Sequence, residues 1–375
     1  MLTRILQILI KEFIELRRDK WARFRLIVPP LVQLILFGYA ATFEVFGVST
    51  AVLDLDHSQE SRELLSRFTY STRFHVVLVA QSERDIERAI DRGDAIVAVV
   101  IHPQFANLLR KGQTAPLQVV VDGTNSNSAL IALDYVGQIV SGFSRDYAVD
   151  LIQRTHPGQQ LVQIDLEQRP WFNEDLNSRW FFVPGVIASL TLVLIVNLTS
   201  FAIVREREVG TLEQIMVTPI RPIEFIFGKT VPFFLIGLGL VAMIATVGIL
   251  WFGVPFVGNP LVMLAGTSLF LLSTLALGLL ISTLCSTQQQ AFATNFFVIN
   301  PLFTLSGFAF PIASMPTFLQ WLTYANPVRY YLVIIRAVFL KGVGFAVLWP
   351  EMLALAALAA LLLAASIAKF RKSLD

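Results

Sequence analysis

The sequence predicts an α-helical polytopic membrane protein with six transmembrane helices and an extracytoplasmic α/β domain inserted between helices 1 and 2. Three observations carry this. The 375-residue chain is 55% hydrophobic and only 15% charged, against about 25% charged in soluble domains, and its mean hydropathy is +0.65. Apolar segments long enough to cross about 30 Å of hydrocarbon recur along it. One long stretch, residues 47–178, breaks that pattern and is rich in Asp, Arg, Ser, Gln and Asn. The net charge of +2 offers no case for nucleic-acid binding. Cys285 is the single cysteine, so no intrachain disulfide can form.

Residues 1–25 place Leu2, Ile5, Leu6, Leu9, Phe13 and Leu16 at helical spacing among Arg4, Lys11, Arg17, Arg18, Lys20, Arg23 and Arg25. This pattern predicts an interfacial amphipathic helix on the cytoplasmic leaflet. The first span follows at 26–46. A cleavage site at Gly38-Tyr39-Ala40 is the competing reading, but the region before the apolar core is too long for a usual signal peptide. Within 47–178, the runs Ala51–Leu55, Phe74–Ala80, Ala95–Ile101 and Leu117–Val121 read as strands. Ser58–Phe68, Ser82–Asp91, Gln104–Arg110 and Asn125–Arg154 read as helices, giving the β-α-β-α rhythm of one α/β domain.

Residues 179–375 hold five further apolar segments, at about 180–204, 224–251, 261–284, 291–312 and 345–368. Six spans put both ends on one side. The basic start and Lys369-Phe370-Arg371-Lys372 assign that side to the cytoplasm. Parity then sets 47–178 outside and the loop 205–222 inside. The inner loop 285–290 is short, uncharged and silent. Arg329, Arg336 and Lys341 fall outside, against the positive-inside rule. The outer segment 313–344 is preceded by Pro311, broken by Pro316 and Pro327, and carries Phe318, Trp321 and Tyr324, the pattern of re-entrant or interfacial helices. A seventh span there would bury Arg336 in lipid.

Several clusters invite chemistry. Gly228-Lys229-Thr230 mimics the end of a phosphate-binding loop, yet the required earlier glycine is Ile223 and the context is a membrane helix. Lys229 is read instead as marking the membrane edge and snorkelling to water. The chain has no nucleotide site of its own by this reading, and binds no cofactor. Asp54, Asp56, His57 and Ser58 read as a strand end and helix cap rather than a metal or catalytic set, because His75, His102 and His156 lack ligand spacing. Asp122–Asn127 reads as a turn and cap. Asn197 and Thr199 in the second span, and Asn295 and Asn300 in the fifth, need partners or water inside lipid. They serve either as packing glue or, with Phe296 and Phe303, as the wall of a translocation path. Pro301 and Gly307 weaken the fifth span and permit bending.

The charged loop is the most informative stretch. Val204–Pro219 abuts hydrocarbon-length sequence on both sides, and the part after Gly210 reads as a short amphipathic helix stopped near Pro219. Its Leu212, Ile215 and Met216 share one face. The run "REREVGTLEQIMVTPIRPIEFIFGK" resembles the cytoplasmic loop of ABC-2 type export permeases, in which an E-R/K-E-x-G-T-x-E-x-L/I-x-x-T-P pattern contacts an ATPase subunit. Glu206, Arg207, Glu208, Gly210, Thr211, Glu213, Thr218 and Pro219 occupy the matching positions. "AVLDLDHSQESRELLSRF", "LQVVVDGTNSNSAL" and "NPVRYYLVIIRAVFLKG" are similar to that family as well, and the layout of one span, a large outer domain and five spans is shared.

The resemblance implies the permease subunit of an exporter in the bacterial inner membrane, with ATP and Mg held by a partner ABC ATPase. Arg207, Glu208 and Glu213 would be electrostatic contacts, and Leu212 and Ile215 the apolar anchor. The second and fifth spans would line a path at a two-fold interface between two identical or paralogous permeases. A periplasmic membrane-fusion adaptor is a further implied partner, and drug-like compounds the implied cargo. A membrane-anchored sensor with a ligand-binding outer domain is the alternative, although five further spans exceed what an anchor needs. A membrane enzyme ranks third, for want of convergent acidic, His or Ser groups.

Overall fold

The computed structural model describes residues 18–40, 47–124, 126–155, 171–174, 177–210 and 222–372, together with Ile10 and Ile14. The chain forms two compact units, one of Thr42–Gln168 and one of Met1–Ala41 with Arg169–Asp375. In chain order, α1 (Lys20–Ala40) precedes the first of these. That unit holds β1 (Val48–Asp54), α2 (Gln59–Thr69), β2 (Phe74–Val79), α3 (Glu83–Asp91), β3 (Val97–Ile101), α4 (Phe105–Arg110), β4 (Leu117–Val121) and α5 (Ser126–Thr155). The second unit continues with α6 (Ser178–Glu208), α7 (Pro222–Leu250), α8 (Pro260–Leu284), α9 (Gln288–Thr304), α10 (Thr317–Thr323), α11 (Pro327–Arg336) and α12 (Phe345–Lys372).

In the α/β unit the sheet order is β2-β1-β3-β4. β1 pairs in parallel with β2 and β3, and β4 runs antiparallel to β3. Helices cover both faces, which is why β3 is buried at every residue rather than alternating. Val48, Val52, Val97, Val99 and Ile101 pack under Leu64, Phe68, Phe105 and Phe143, while Ala51, Leu53, Ala98 and Val100 pack under Ile86 and Ala89. Ser58 Oγ accepts the Ser61 N–H at 3.0 Å and so caps α2. Asp54 accepts from the N–H groups of Asp56 and His57 and from Ser61 Oγ, and Asp56 accepts from the Ala106 N–H. The acidic cluster is therefore turn and cap. Asp122 likewise accepts the Thr124 N–H at 2.9 Å.

In the membrane unit, four described helices are long and apolar enough to cross a bilayer, the spans being Ser178–Glu208, Ile226–Leu250, Pro260–Leu284 and Phe345–Lys369. Among the described residues, the helices at the expected first and fifth spans fall short of that length. The apolar part of α1 is Leu26–Tyr39, with Pro29 and Pro30 inside the helix, and 41–46 lie outside the described residues. Within the segment expected as the fifth crossing, 291–312, the helix is the 17-residue α9, which begins three residues earlier and ends at Thr304. It gives way after Thr304 to an irregular turn in which Gly307 takes φ +86°, a conformation open to glycine. Of the expected amphipathic helix 1–25, Ile10, Ile14 and Arg18 are helical and exposed; most of its other positions lie outside the described residues.

α6 and α8 form the centre of this unit. A Cβ on Gly278 would stand 2.9 Å from Thr199 Cβ and from the Val196 carbonyl oxygen, so glycine sets their close approach. α11 packs onto this pair. Tyr331 is fully buried, stacked on Phe270 at 4.1 Å, and shares a 3.0 Å hydrogen bond with Thr267. The residues that argued against a seventh span thus form a short docked helix followed by one π turn, Ala337–Lys341. Asn326 caps α11 at Val328 and donates to the Leu302 carbonyl at 2.6 Å, tying the return segment to the end of α9. The cations of this segment rest on rings: Arg336 lies 3.9 Å from the Phe181 centroid, Arg329 4.0 Å from Tyr324 and Lys341 5.6 Å from Phe172. Nε and Nη2 of Arg336 are buried without a hydrogen-bond partner.

Candidate functional site

The C-terminal end of α6 carries four charges in a row, Arg205–Glu208, and each of the last three has a different neighbour. Lys229 Nζ of α7 donates to Glu206 Oε1 at 2.8 Å. The two side chains are 5% and 14% exposed, so Lys229 does not snorkel to water; it is an internal partner of the loop motif. Arg207 Nη1 donates to the Cys285 carbonyl at 2.9 Å, at the end of α8. Gln288 Nε2, in the first residue of α9, donates to Glu208 Oε2 at 2.8 Å.

The signs fit the helix termini. The last carbonyls of a helix carry partial negative charge and the first N–H groups partial positive charge. Arg207 meets the carboxyl end of α8 and Glu208 the amino end of α9. The turn between those helices, silent in the sequence, is itself braced. Thr287 Oγ1 accepts the Gln290 N–H, Gln290 Oε1 accepts the Ser286 N–H, and Cys285 Sγ lies 3.5 Å from Thr294 Oγ1.

α6 stops at once after this triplet. Gly210 takes φ +79° with open space around its Cα, so a side chain there would be opposed by backbone conformation rather than by collision. Thr211, Leu212, Glu213, Ile215, Thr218 and Pro219 lie outside the described residues. Gly228-Lys229-Thr230 sit inside α7, where Thr230 Oγ1 bonds the Ile226 carbonyl. Their backbone is committed to the helix, not to a loop that could cradle phosphate.

The second cluster lies further along α6. Asn295, buried on α9, donates from Nδ2 to Asn197 Oδ1 at 2.9 Å and to Ser200 Oγ at 2.7 Å. Its own Oδ1 has no hydrogen-bond partner. Asn197 bonds back to the Val193 carbonyl, as Thr199 does to Ile195. The structure therefore joins Asn197 to Asn295 but turns Thr199 toward Gly278 of α8. Asn300 bonds the Phe296 carbonyl, and both residues are exposed, with Phe296 at 60% and Phe297 at 75%. Phe303 is half-buried, edge-on to Phe308 at 5.5 Å.

Sequence reasoning placed Ser200 among the polar residues of the second span but missed its pairing with Asn295, Lys229 as a partner of Glu206, and the Cys285–Gln288 turn. A signal existed for Lys229, an isolated cation at the same membrane edge as Glu206. None existed for the turn, which contributes a carbonyl and an amide. Among the described residues the site offers hydrogen bonds and charge pairs that link α6 to α7, α8 and α9.

Comparison with known proteins gives this geometry a setting. Residues 21–368 match the family model described as ABC-2 family transporter protein. The probable multidrug ABC transporter permease YbhR of Escherichia coli strain K12 is 36% identical over 99% of both chains. The probable multidrug ABC transporter permease YbhS of the same strain is 31% identical over 99% of this chain and 98% of its own. The inner membrane transport permease YhhJ of that strain is 29% identical over 92% and 93%. With a match to nearly its full length and a helical membrane unit whose longest central helix ends in the charged triplet, the chain belongs to the ABC-2 family of transporter proteins.

Proposed function

We propose that the chain is the membrane-spanning permease of an ATP-driven exporter that moves amphiphilic, drug-like compounds out of the cytoplasm or inner leaflet. ATP and Mg2+ belong to a separate ABC ATPase subunit that docks on the loop 205–222 through its part after Gly210. Two permeases, identical or paralogous, pair across a two-fold axis. In this reading α1 and α9 complete six crossings, both termini are cytoplasmic, and the α/β unit stands in the periplasm, where a membrane-fusion adaptor would meet it. What supports drug-like cargo is the naming of YbhR and YbhS as probable multidrug permeases. The inner-membrane assignment draws on YhhJ and on the basic flanks.

The observation that carries the proposal is the wiring of Glu206, Arg207 and Glu208 into α7, α8 and α9 immediately before 211–221. A motor acting on that segment has a direct mechanical path to four helices. Access would switch as these move as near-rigid bodies.

The test is co-purification of an ATPase from cells co-expressing genomic neighbours. Wild type is expected to bring one down, and Leu212→Arg and Gly210→Trp to lose it. Recovery of wild-type chain without any ATPase under mild detergent would end this reading and favour a sensor built on the α/β unit.

A further inference from the structure

We infer that Glu206, Arg207 and Glu208 are positioning residues that bolt the inner ends of α7, α8 and α9 to α6, rather than residues that touch the ATPase. The inference takes the source of the force from the exporter reading; the junction itself is independent of it. Three consecutive residues on an α-helix point about 100° apart. A helix surrounded by neighbours can therefore send each to a different one, and α6 does so. Glu206 and Lys229 are nearly enclosed, so a docking protein would have to break this pair to reach either.

The attachment to α9 is made at two levels. At the end of α6, Glu208 holds Gln288; further along, Asn197 and Ser200 hold Asn295. Gln288 and Asn295 are about 10 Å apart along α9 at 1.5 Å per residue. One bolt would leave α9 free to pivot about it, whereas two fix both its height and its tilt against α6. The exposed face of α9, with Phe296, Phe297 and Asn300, must then follow α6. Displacement of 211–221 reaches that face through side chains, without waiting for the whole bundle to repack.

The experiment uses the full chain in lipid nanodiscs, in a Cys285→Ser background, with spin labels at Phe227 on α7 and Phe292 on α9. With the junction intact, the label-to-label distance distribution is expected to be narrow. Arg207→Ala with Glu208→Ala is expected to broaden it about twofold. The exchange Glu208→Gln with Gln288→Glu keeps an amide-to-carboxylate bond with the donor reversed, and is expected to restore the narrow distribution in a folded protein. In the complex with ATPase, ATP and Mg2+ are expected to leave the label-to-label distance nearly unchanged in wild type, because both helices follow α6, and to change it in the alanine pair.

Capture of the ATPase by the alanine pair is expected to stay within about twofold of wild type, while Leu212→Arg abolishes it. Unchanged distributions in the alanine pair, or loss of capture as complete as with Leu212→Arg, would overturn the inference. If wild type captures no ATPase, the exporter reading fails and the distance distributions alone decide the junction.

Discussion

In the α/β unit the starts of α2 and α3 are closed from within a few residues, while the start of α4 is met by Asp56 from 50 residues away. Ser58 caps α2 through Ser61, and Asp85 accepts from the Ser82 N–H at the start of α3. In the membrane unit, Arg207 and Glu208 reach the ends of α8 and α9 from 78 and 80 residues away. A local cap stabilises one helix and leaves its neighbours alone. A remote cap makes the end of one helix part of another, so displacing either disturbs both. Both units use both kinds, for Asn259 and Thr287 cap α8 and α9 locally; what sets the membrane unit apart is that adjacent residues of one helix, Arg207 and Glu208, close two others.

The sharpest way to break this contrast is Lys229→Met, which leaves the Glu206 carboxylate enclosed without its cation. Removing one partner of a buried pair costs about 3 kcal/mol or more. The expected result is a large fall in the thermal midpoint of the detergent-solubilised protein, mostly recovered when Glu206→Gln is added. Asn295→Ala removes two hydrogen bonds between α6 and α9 and is expected to cost about 1–2 kcal/mol in the same assay. Ser58→Ala is expected to cost about 1 kcal/mol, and hydrogen exchange should show the loss confined to the first turn of α2. Spread of that loss into the membrane helices would erase the distinction between local and remote closure.

The smallest effect concerns pH. Arg110 reaches Glu60 with two hydrogen bonds, at 2.7 and 2.8 Å. These hold the Glu60 carboxyl below its ordinary value of 4.5. A depressed carboxyl contributes stability above its unfolded value, and that contribution fades as pH falls from near 4.5 through the folded value. Glu60→Gln is expected to flatten the acid limb of unfolding of the α/β unit below about pH 4.5, with little change at pH 7.

The same contrast explains what could be read from the sequence. The strands of the α/β unit begin and end within three residues of where apolar runs place them. Its helix starts were marked by Ser58 and Ser82, because the residues that cap those helices adjoin them. In the membrane unit, hydropathy located the segments but not their lengths. Pro301 and Gly307 were visible as weak points, yet only packing shows that α9 stops at Thr304 and that the return segment is tied to it through Asn326. Asn197 and Asn295 were legible as amides in need of partners. Their pairing was not, nor was the use of the Cys285 carbonyl, since a backbone acceptor leaves no trace in composition.

The length of α9 has a consequence for the surrounding lipid. Seventeen helical residues reach about 25 Å, while the hydrocarbon layer measures about 30 Å. In the exporter reading, where α9 is the fifth crossing, a shortfall on any lipid-facing side of it would be met by thinning of the adjacent bilayer, at a fraction of a kcal/mol per Å. Membrane thickness would then be a variable to which this protein responds: shorter acyl chains would relieve the mismatch around α9 and longer ones load it, without any change in the protein's own contacts.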